Sequence, residues 1–153
     1  MTELRMDAPN EKQRRFLLDR HRHIAYGGAR GGGKSWAVRT KAKLLALRYA
    51  GIKLLIVRRT LRELQNNHID PLRQELAGVA KYKAADKRFE FPNRSVLTFG
   101  YCACDGDLGQ YQGAEYDVVF LDEAGQLQKA WIDAINACVR GTNGLPKRTY
   151  YTL

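Results

Sequence analysis

Acid is what this chain is short of: 16 Asp and Glu stand against 26 Lys and Arg, a formal charge of +10. Such an excess points to a polyanionic partner, nucleic acid first, over the plainer reading of a basic solvated surface. Cysteine is scarce as well. Cys102, Cys104 and Cys138 are odd in number, and the C-x-C pair has no second pair or nearby histidine to complete a zinc site. A disulfide scaffold and a zinc module are therefore excluded, and reduced thiols of an intracellular protein are expected. No stretch approaches the roughly 18 apolar residues of a membrane span, and no signal-peptide core opens the chain. We expect a soluble protein without membrane attachment. Internal repeats and low-complexity tracts are also missing. What is present, 153 residues of which 44% are hydrophobic, suffices for one domain with a real core.

Residues 1–9, polar and ending at Pro9, read as a flexible arm. Asn10 is a candidate N-cap for a helix over 11–20 with Phe16 and Leu17 as its apolar side. His23-Ile24-Ala25-Tyr26 stops abruptly at glycine, as a buried strand does. A glycine-dense segment, 27–35, precedes a helix from Lys34 to about Tyr49. Ala37, Leu44, Leu45 and Leu47 are expected on its core side, and Arg39, Lys41 and Lys43 on its basic side. Gly51 ends this helix, and Lys53 to Val57 reads as a buried parallel strand. Leu61, Leu64, Ile69, Leu72 and Leu76 predict helix through 61–77, broken or kinked at Pro71. Short strands follow, Arg88 to Phe91 and Ser95 to Phe99 around a Pro92-Asn93 turn. Tyr116 to Leu121 is another buried strand, 128–139 is helical, and Arg148 to Leu153 is a last strand. This alternation predicts an α/β fold: a mostly parallel central sheet with helices on both faces and a small β-hairpin insertion near 87–99.

Two motifs carry chemistry. Gly28-Ala29-Arg30-Gly31-Gly32-Gly33-Lys34-Ser35 fits G-x-x-x-x-G-K-[ST] position by position, between a strand and a helix as the P-loop requires. Glycines let the backbone turn its N–H groups onto a triphosphate, and the following helix presents its positive end to the same anion. Lys34 would reach the β- and γ-phosphates and Ser35 would ligate Mg²⁺, with Trp36 adjoining the site. The second motif is Val118-Val119-Phe120-Leu121-Asp122-Glu123. Its apolar strand delivers Asp122 to the Mg²⁺ shell, and Glu123 follows as general base for the attacking water. A solvated strand end explains the second motif when it stands alone, whereas the first, flanked by an apolar strand and an amphipathic helix, outweighs the glycine-linker reading. Together they supply the two halves of one Mg-ATP site. Nothing resembles the H-R-D or D-F-G of kinases.

With these motifs placed, the chain resembles the ATPase domain of tailed-phage terminase large subunits, in the family's order and over nearly the whole chain. The resemblance rests on Gln13, on Gly27 to Ser35, on Phe91-Pro92-Asn93-Arg94-Ser95, on Tyr111-Gln112-Gly113-Ala114-Glu115-Tyr116-Asp117, and on Leu121-Asp122-Glu123-Ala124. It implies a P-loop NTPase of the additional-strand, catalytic-glutamate type, with the strand 148–153 between the Walker A and Walker B strands. Gln13 would contact adenine and Arg30 would sense the γ-phosphate. The implied activity is hydrolysis of Mg-ATP to drive double-stranded DNA into a procapsid. The implied partners are a portal protein, a small terminase subunit and further copies in a ring, in the cytoplasm of an infected bacterial host.

Two departures stand out. Where several terminases carry a trans-acting arginine this chain has Gln112, so that arginine lies elsewhere, with Arg140 as a guess. Thr149 to Leu153 resembles the strand leading into the family's coupling motif, and the sequence stops there. The expected layout is thus one ATPase domain over 10–153 without the nuclease domain, monomeric by itself and slow in hydrolysis. Arg58, Arg59 and Arg62, just past a buried strand, either face DNA or are solvated. Should Glu123 not be the base, Glu115 and Asp117 are the nearest substitutes. A helicase or other nucleic-acid translocase is the alternative enzyme, and a non-hydrolysing nucleic-acid-binding module is the rival from another class.

Overall fold

The structure is a computed structural model, and it describes residues 8–28 and 33–153. Helix α1, Glu11–Leu18, starts where a reciprocal cap can form: the Asn10 side chain accepts from Gln13 N–H, and the Gln13 side chain accepts from Asn10 N–H, both at 2.9 Å. Strand β1, His23–Tyr26, leads to the glycine-rich loop, and α2, Lys34–Arg48, follows it. Then come β2, Lys53–Arg58, a helical segment, and β3 to β5 at Lys81–Lys83, Arg88–Glu90 and Val96–Tyr101. Strand β6, Val118–Leu121, α5, Lys129–Asn136, and β7, Arg148–Thr152, complete the order.

These strands form one seven-stranded sheet in the order β1-β7-β6-β2-β5-β4-β3. The five strands from β1 to β5 in that order run parallel, and the β4–β3 hairpin extends the margin through antiparallel pairings. The last strand therefore lies between the one before the glycine loop and the one ending in Asp122, as expected. The anticipated hairpin is present but larger. Its second arm, β5, runs on to Tyr101 and pairs with β2 over six residues, so it is an interior strand, and the edge extension is made by β4 and β3.

Each face of the sheet carries a core. On one, Leu54, Ile56, Val118, Phe120 and Tyr150 pack under α1 and α2; Phe120 and Tyr150 stack at 4.9 Å. On the other, Leu55, Val57, Val119 and Leu121 pack against Trp131 and Ile135 of α5. This is the period-2 alternation of strands covered on both sides.

Three sequence expectations change. The core stripe of α2 is Ala37, Val38, Ala42, Leu45 and Ala46, whereas Leu44 and Leu47 are exposed. Helical phase sets this, because 38, 42, 45 and 46 share a face that 44 and 47 do not. Lys43, expected on the basic side, is buried and bonds the Glu75 carboxylate at 2.5 Å. The segment 61–77 is three pieces: α3, Leu61–Leu64, a π-helical turn, Gln65–Ile69, and α4, Asp70–Glu75, with Pro71 in the first turn of α4. Proline has no N–H to donate to the carbonyl four residues back, that of Asn67. That carbonyl instead accepts Arg39 Nη1 at 2.5 Å.

Asp117, at the amino end of β6, is buried and bonds Lys53 N–H at 2.8 Å, Asn143 Nδ2 at 2.9 Å and Lys147 Nζ at 2.8 Å. It ties the start of β2 to the loop before β7 and stands a strand's length from Asp122. Glu115, paired with Arg140 at 3.6 Å, sits at the same end. Neither is available as a substitute base. Asp117→Ala should lower the unfolding free energy by about 2–4 kcal/mol, the worth of a broken buried pair with its hydrogen bonds. Urea denaturation checks this, and a loss below about 0.5 kcal/mol, the scale of surface substitutions, would show that Asp117 is not an anchor.

Candidate functional site

The parallel strands end together. Register pairs Val57 with Leu121, Leu121 with Tyr151, and Tyr26 with Thr152, which aligns Arg58, Asp122 and Thr152 at the carboxyl ends of three adjacent strands. Ligands of open α/β sheets bind at this end. The start of α2 arrives at the same place, because the loop between β1 and α2 is short.

Asp122 is the centre of what gathers there. Its side chain is almost wholly buried, and four side chains among the described residues donate to it. Ser35 Oγ and Arg58 Nη1 reach Oδ2 at 3.0 Å each, His68 Nε2 reaches the same oxygen at 2.7 Å, and Thr152 Oγ1 reaches Oδ1 at 2.5 Å. Burial would raise the carboxyl's pKa, but the bonds from His68 and Thr152 and the charge of Arg58 together hold it well below the usual carboxylate range. Burial dominates at His68 and pulls its imidazole downward, against the raising effect of Asp122.

Of the residues singled out in the glycine loop, Ala29, Arg30, Gly31 and Gly32 lie outside the described residues. Gly28 and Gly33 bracket them, with φ of 142° and 72°, conformations that a side chain disfavours. Lys34 Nζ donates to the carbonyl of Gly28 at 3.2 Å and also to that of Leu153. Ser35 meets Asp122. Trp36 is half-buried and packs against the core under α1 and α2. Gln13, held by the α1 cap, turns its Nε2 to the Gly33 carbonyl at 3.3 Å and fills the space a Cβ on Gly33 would need. Gln13 of α1 thus meets Gly33, and Ser35 in the first turn of α2 meets Asp122 at the end of β6.

Glu123 takes a left-handed backbone, φ 57° and ψ 50°, and its N–H donates to Thr152 Oγ1 at 2.8 Å. Its carboxylate makes no hydrogen bond or ion pair among the described residues. A non-glycine residue in this region holds strain of order 1 kcal/mol or more, which persists where the surroundings dictate the backbone. Arg58 corrects an expectation: it is buried against Asp122, so it does not face solvent or a partner. Arg59 and Arg62 are exposed. Arg140 lies beside Glu115 at the opposite end of the sheet. Gln112 caps a 3-10 turn, Asp105–Tyr111, and is exposed. The sequence reading missed Arg58 as a partner of Asp122, and missed His68 and Thr152 altogether. For Arg58 and Thr152 a signal existed, since each is the polar residue ending a parallel strand at the level of Asp122.

No protein-family model and no curated protein matches the chain. Solved structures do. The large terminase of a thermophilic bacteriophage superposes with a TM-score of 0.75 at 17% identity, over 93% of this chain and 38% of that one. The bacteriophage HK97 large terminase gives 0.72 at 14% identity, over 95% of this chain and 33% of that one. The ATPase domain of a Thermus phage large terminase gives 0.72 at 17%, over 95% and 64%. This chain therefore spans well under half the length of the first two large terminases. Among the described residues, no helix is long and apolar enough to cross a membrane.

Glu123→Gly should raise the unfolding free energy by roughly 0.5–1 kcal/mol by relieving the left-handed strain. Glu123→Val should lower it. Thermal melts of the two variants check this, and a destabilised glycine variant would show that the carboxylate, not the backbone, carries the local stability. In fold, the chain is α/β, a mostly parallel seven-stranded sheet with helices on both faces, similar to that of the phage large terminase structures.

Proposed function

We propose that this chain is the ATPase motor domain of a DNA-packaging terminase, which binds and hydrolyses Mg-ATP to move double-stranded DNA into a procapsid. The observation that carries the reading is the 3.0 Å contact between Ser35 Oγ and Asp122 Oδ2, residues 87 apart in sequence. It joins the end of the phosphate loop to the end of the acidic strand, and it supplies adjacent hard oxygen donors of the kind Mg²⁺ takes. The thermophilic phage terminase has been seen with ADP and with ATP-gamma-S, which supports the same ligand class here.

In this reading Gly28 to Ser35 cradle the phosphates, with the N-terminus of the 15-residue α2 behind them. Lys34 exchanges its two carbonyl partners for the β- and γ-phosphates. Ser35 and Asp122 hold Mg²⁺, whose charge offsets that of the phosphate oxygens. Arg30 adds positive charge at the γ-phosphate, Gln13 meets the base, and Trp36 backs the loop. Glu123, with no partner for its carboxylate among the described residues, accepts the proton of the attacking water. An arginine from a neighbouring copy completes the charge, as in a ring of subunits. The portal protein and the small terminase subunit are the other partners, in the host cytoplasm. The domain covers 10–153, after an arm at 1–9 that lies mostly outside the described residues.

Lys34→Ala should abolish Mg-ATP binding in calorimetry, and Glu123→Gln should keep affinity within a few-fold while hydrolysis falls by about 10²–10⁴. Unchanged affinity in the first variant overturns the phosphate-loop assignment, and unchanged turnover in the second removes Glu123 as base. DNA binding should be indifferent to sequence and steeply salt-dependent. Replacing Arg59 and Arg62 together by Ala should flatten the slope of log affinity against log salt by up to about two units. An unchanged slope would leave those two arginines as solvated charges.

A further inference from the structure

Asp122 is saturated. An ionised carboxylate offers about four lone-pair directions, and Ser35, Arg58, His68 and Thr152 take them. Three of these donors share Oδ2, the oxygen turned toward Ser35. A divalent cation using this carboxylate, directly or through a water, must displace at least one of them, and the four differ in how freely they can leave. Ser35 goes over to the metal itself. Thr152 is held from its other side by Glu123 N–H at 2.8 Å. His68 is fully buried on the π-helical turn. Of the four, only Arg58 has a second acid within reach among the described residues.

That acid is Glu63, on α3. Arg58 Nε stands 3.9 Å from Glu63 Oε2, too far for a hydrogen bond. Both atoms are buried and both lack any hydrogen-bond partner. Buried polar atoms left unpaired are uncommon and call for an explanation. Here the two orphans face one another across a gap that a small swing of the guanidinium closes. The guanidinium cannot be neutralised by losing its proton, so charge repulsion from a bound cation can be relieved only by movement.

We propose that Arg58 is a two-position residue, bonded to Asp122 while the site is free of metal and to Glu63 once Mg²⁺ with its nucleotide claims Asp122. The inference rests on the Mg-nucleotide reading of the site. Its direct effect is on metal affinity, because Arg58 competes for Asp122 in one position and is stabilised by Glu63 in the other. Its indirect effect is on α3, since Glu63 belongs to the helix that carries exposed Arg62 and follows exposed Arg59. The occupancy of the metal site would thereby reach the proposed DNA-facing arginines through one side chain, which makes Arg58 a positioning residue.

The test is the ratio of ATP-gamma-S affinity in Mg²⁺ to that in EDTA, measured by calorimetry on the chain and its variants, with a thermal melt of each. Glu63→Gln keeps shape but weakens the second seat, and should lower the ratio about five- to tenfold, the low end of coupling between sites. Arg58→Lys, which keeps the charge but loses the fork, should lower it similarly. Arg58→Met removes the competitor and should raise the ratio. In the double variant Arg58→Met/Glu63→Gln the effect of Glu63→Gln should vanish. A merely structural Arg58 predicts the reverse: Arg58→Met lowers the ratio, and Glu63→Gln leaves it unchanged. Either of those results overturns the proposal. Failure of the unmodified chain to bind ATP-gamma-S at all would instead overturn the nucleotide reading beneath it.

Discussion

A carboxylate buried at the end of a strand must find donors, and in this molecule Asp122 draws them from everything around it. Its four partners come from α2, β2, the π-helical turn and β7, so the helix after the glycine loop, two strands and the segment before Pro71 are all fixed relative to one point. An unpaired carboxylate in this position would carry a penalty of several kcal/mol. The surrounding elements consequently cannot drift independently. The carboxyl ends of β2, β6 and β7 stay level, and the first turn of α2 stays against them.

The opposite end of the sheet is organised around a second aspartate with a different character. Asp117 bonds a backbone N–H, an amide and an ammonium, all from the segments that begin β2 and β7. Those partners are structural, and none of the buried unpaired atoms lies on them. At Asp122 the neighbours include buried atoms without partners on Arg58, Glu63 and His68. The same residue type at the two ends of one short strand thus separates an anchor from a site able to change.

What the sequence made legible, and what it did not, follows from how local each signal is. Ser35 and Asp122 close two motifs whose spacing the chemistry dictates, so their meeting could be anticipated. The alternation of apolar runs with helical patterns gave the layered sheet, and the likeness to terminases gave the place of its last strand. Arg58 was opaque because an arginine after a buried strand looks like a surface charge until strand register sets it beside Asp122. His68 was more opaque still. Its position depends on the π-helical turn before Pro71, and no spacing rule marks that turn. Leu44 and Leu47 misled because their hydrophobicity outweighed their helical phase, while Lys43 entered the interior through a carboxylate 32 positions away.

The place of β7 has a consequence for how the chain folds. It comes last of the seven strands in sequence yet lies second in the sheet, and among the described residues β1 pairs with no other strand. Strands β2, β5 and β6 can assemble from a contiguous stretch of chain. The segment from α1 through β1 cannot join them by strand pairing until residues 148–152 are inserted, closing a loop that spans most of the chain. Such non-local pairing slows folding, because the entropy of closure comes before the contacts that offset it. Gly27 and Gly28 follow β1 directly, so the entry to the glycine loop is positioned by the same long-range pairing.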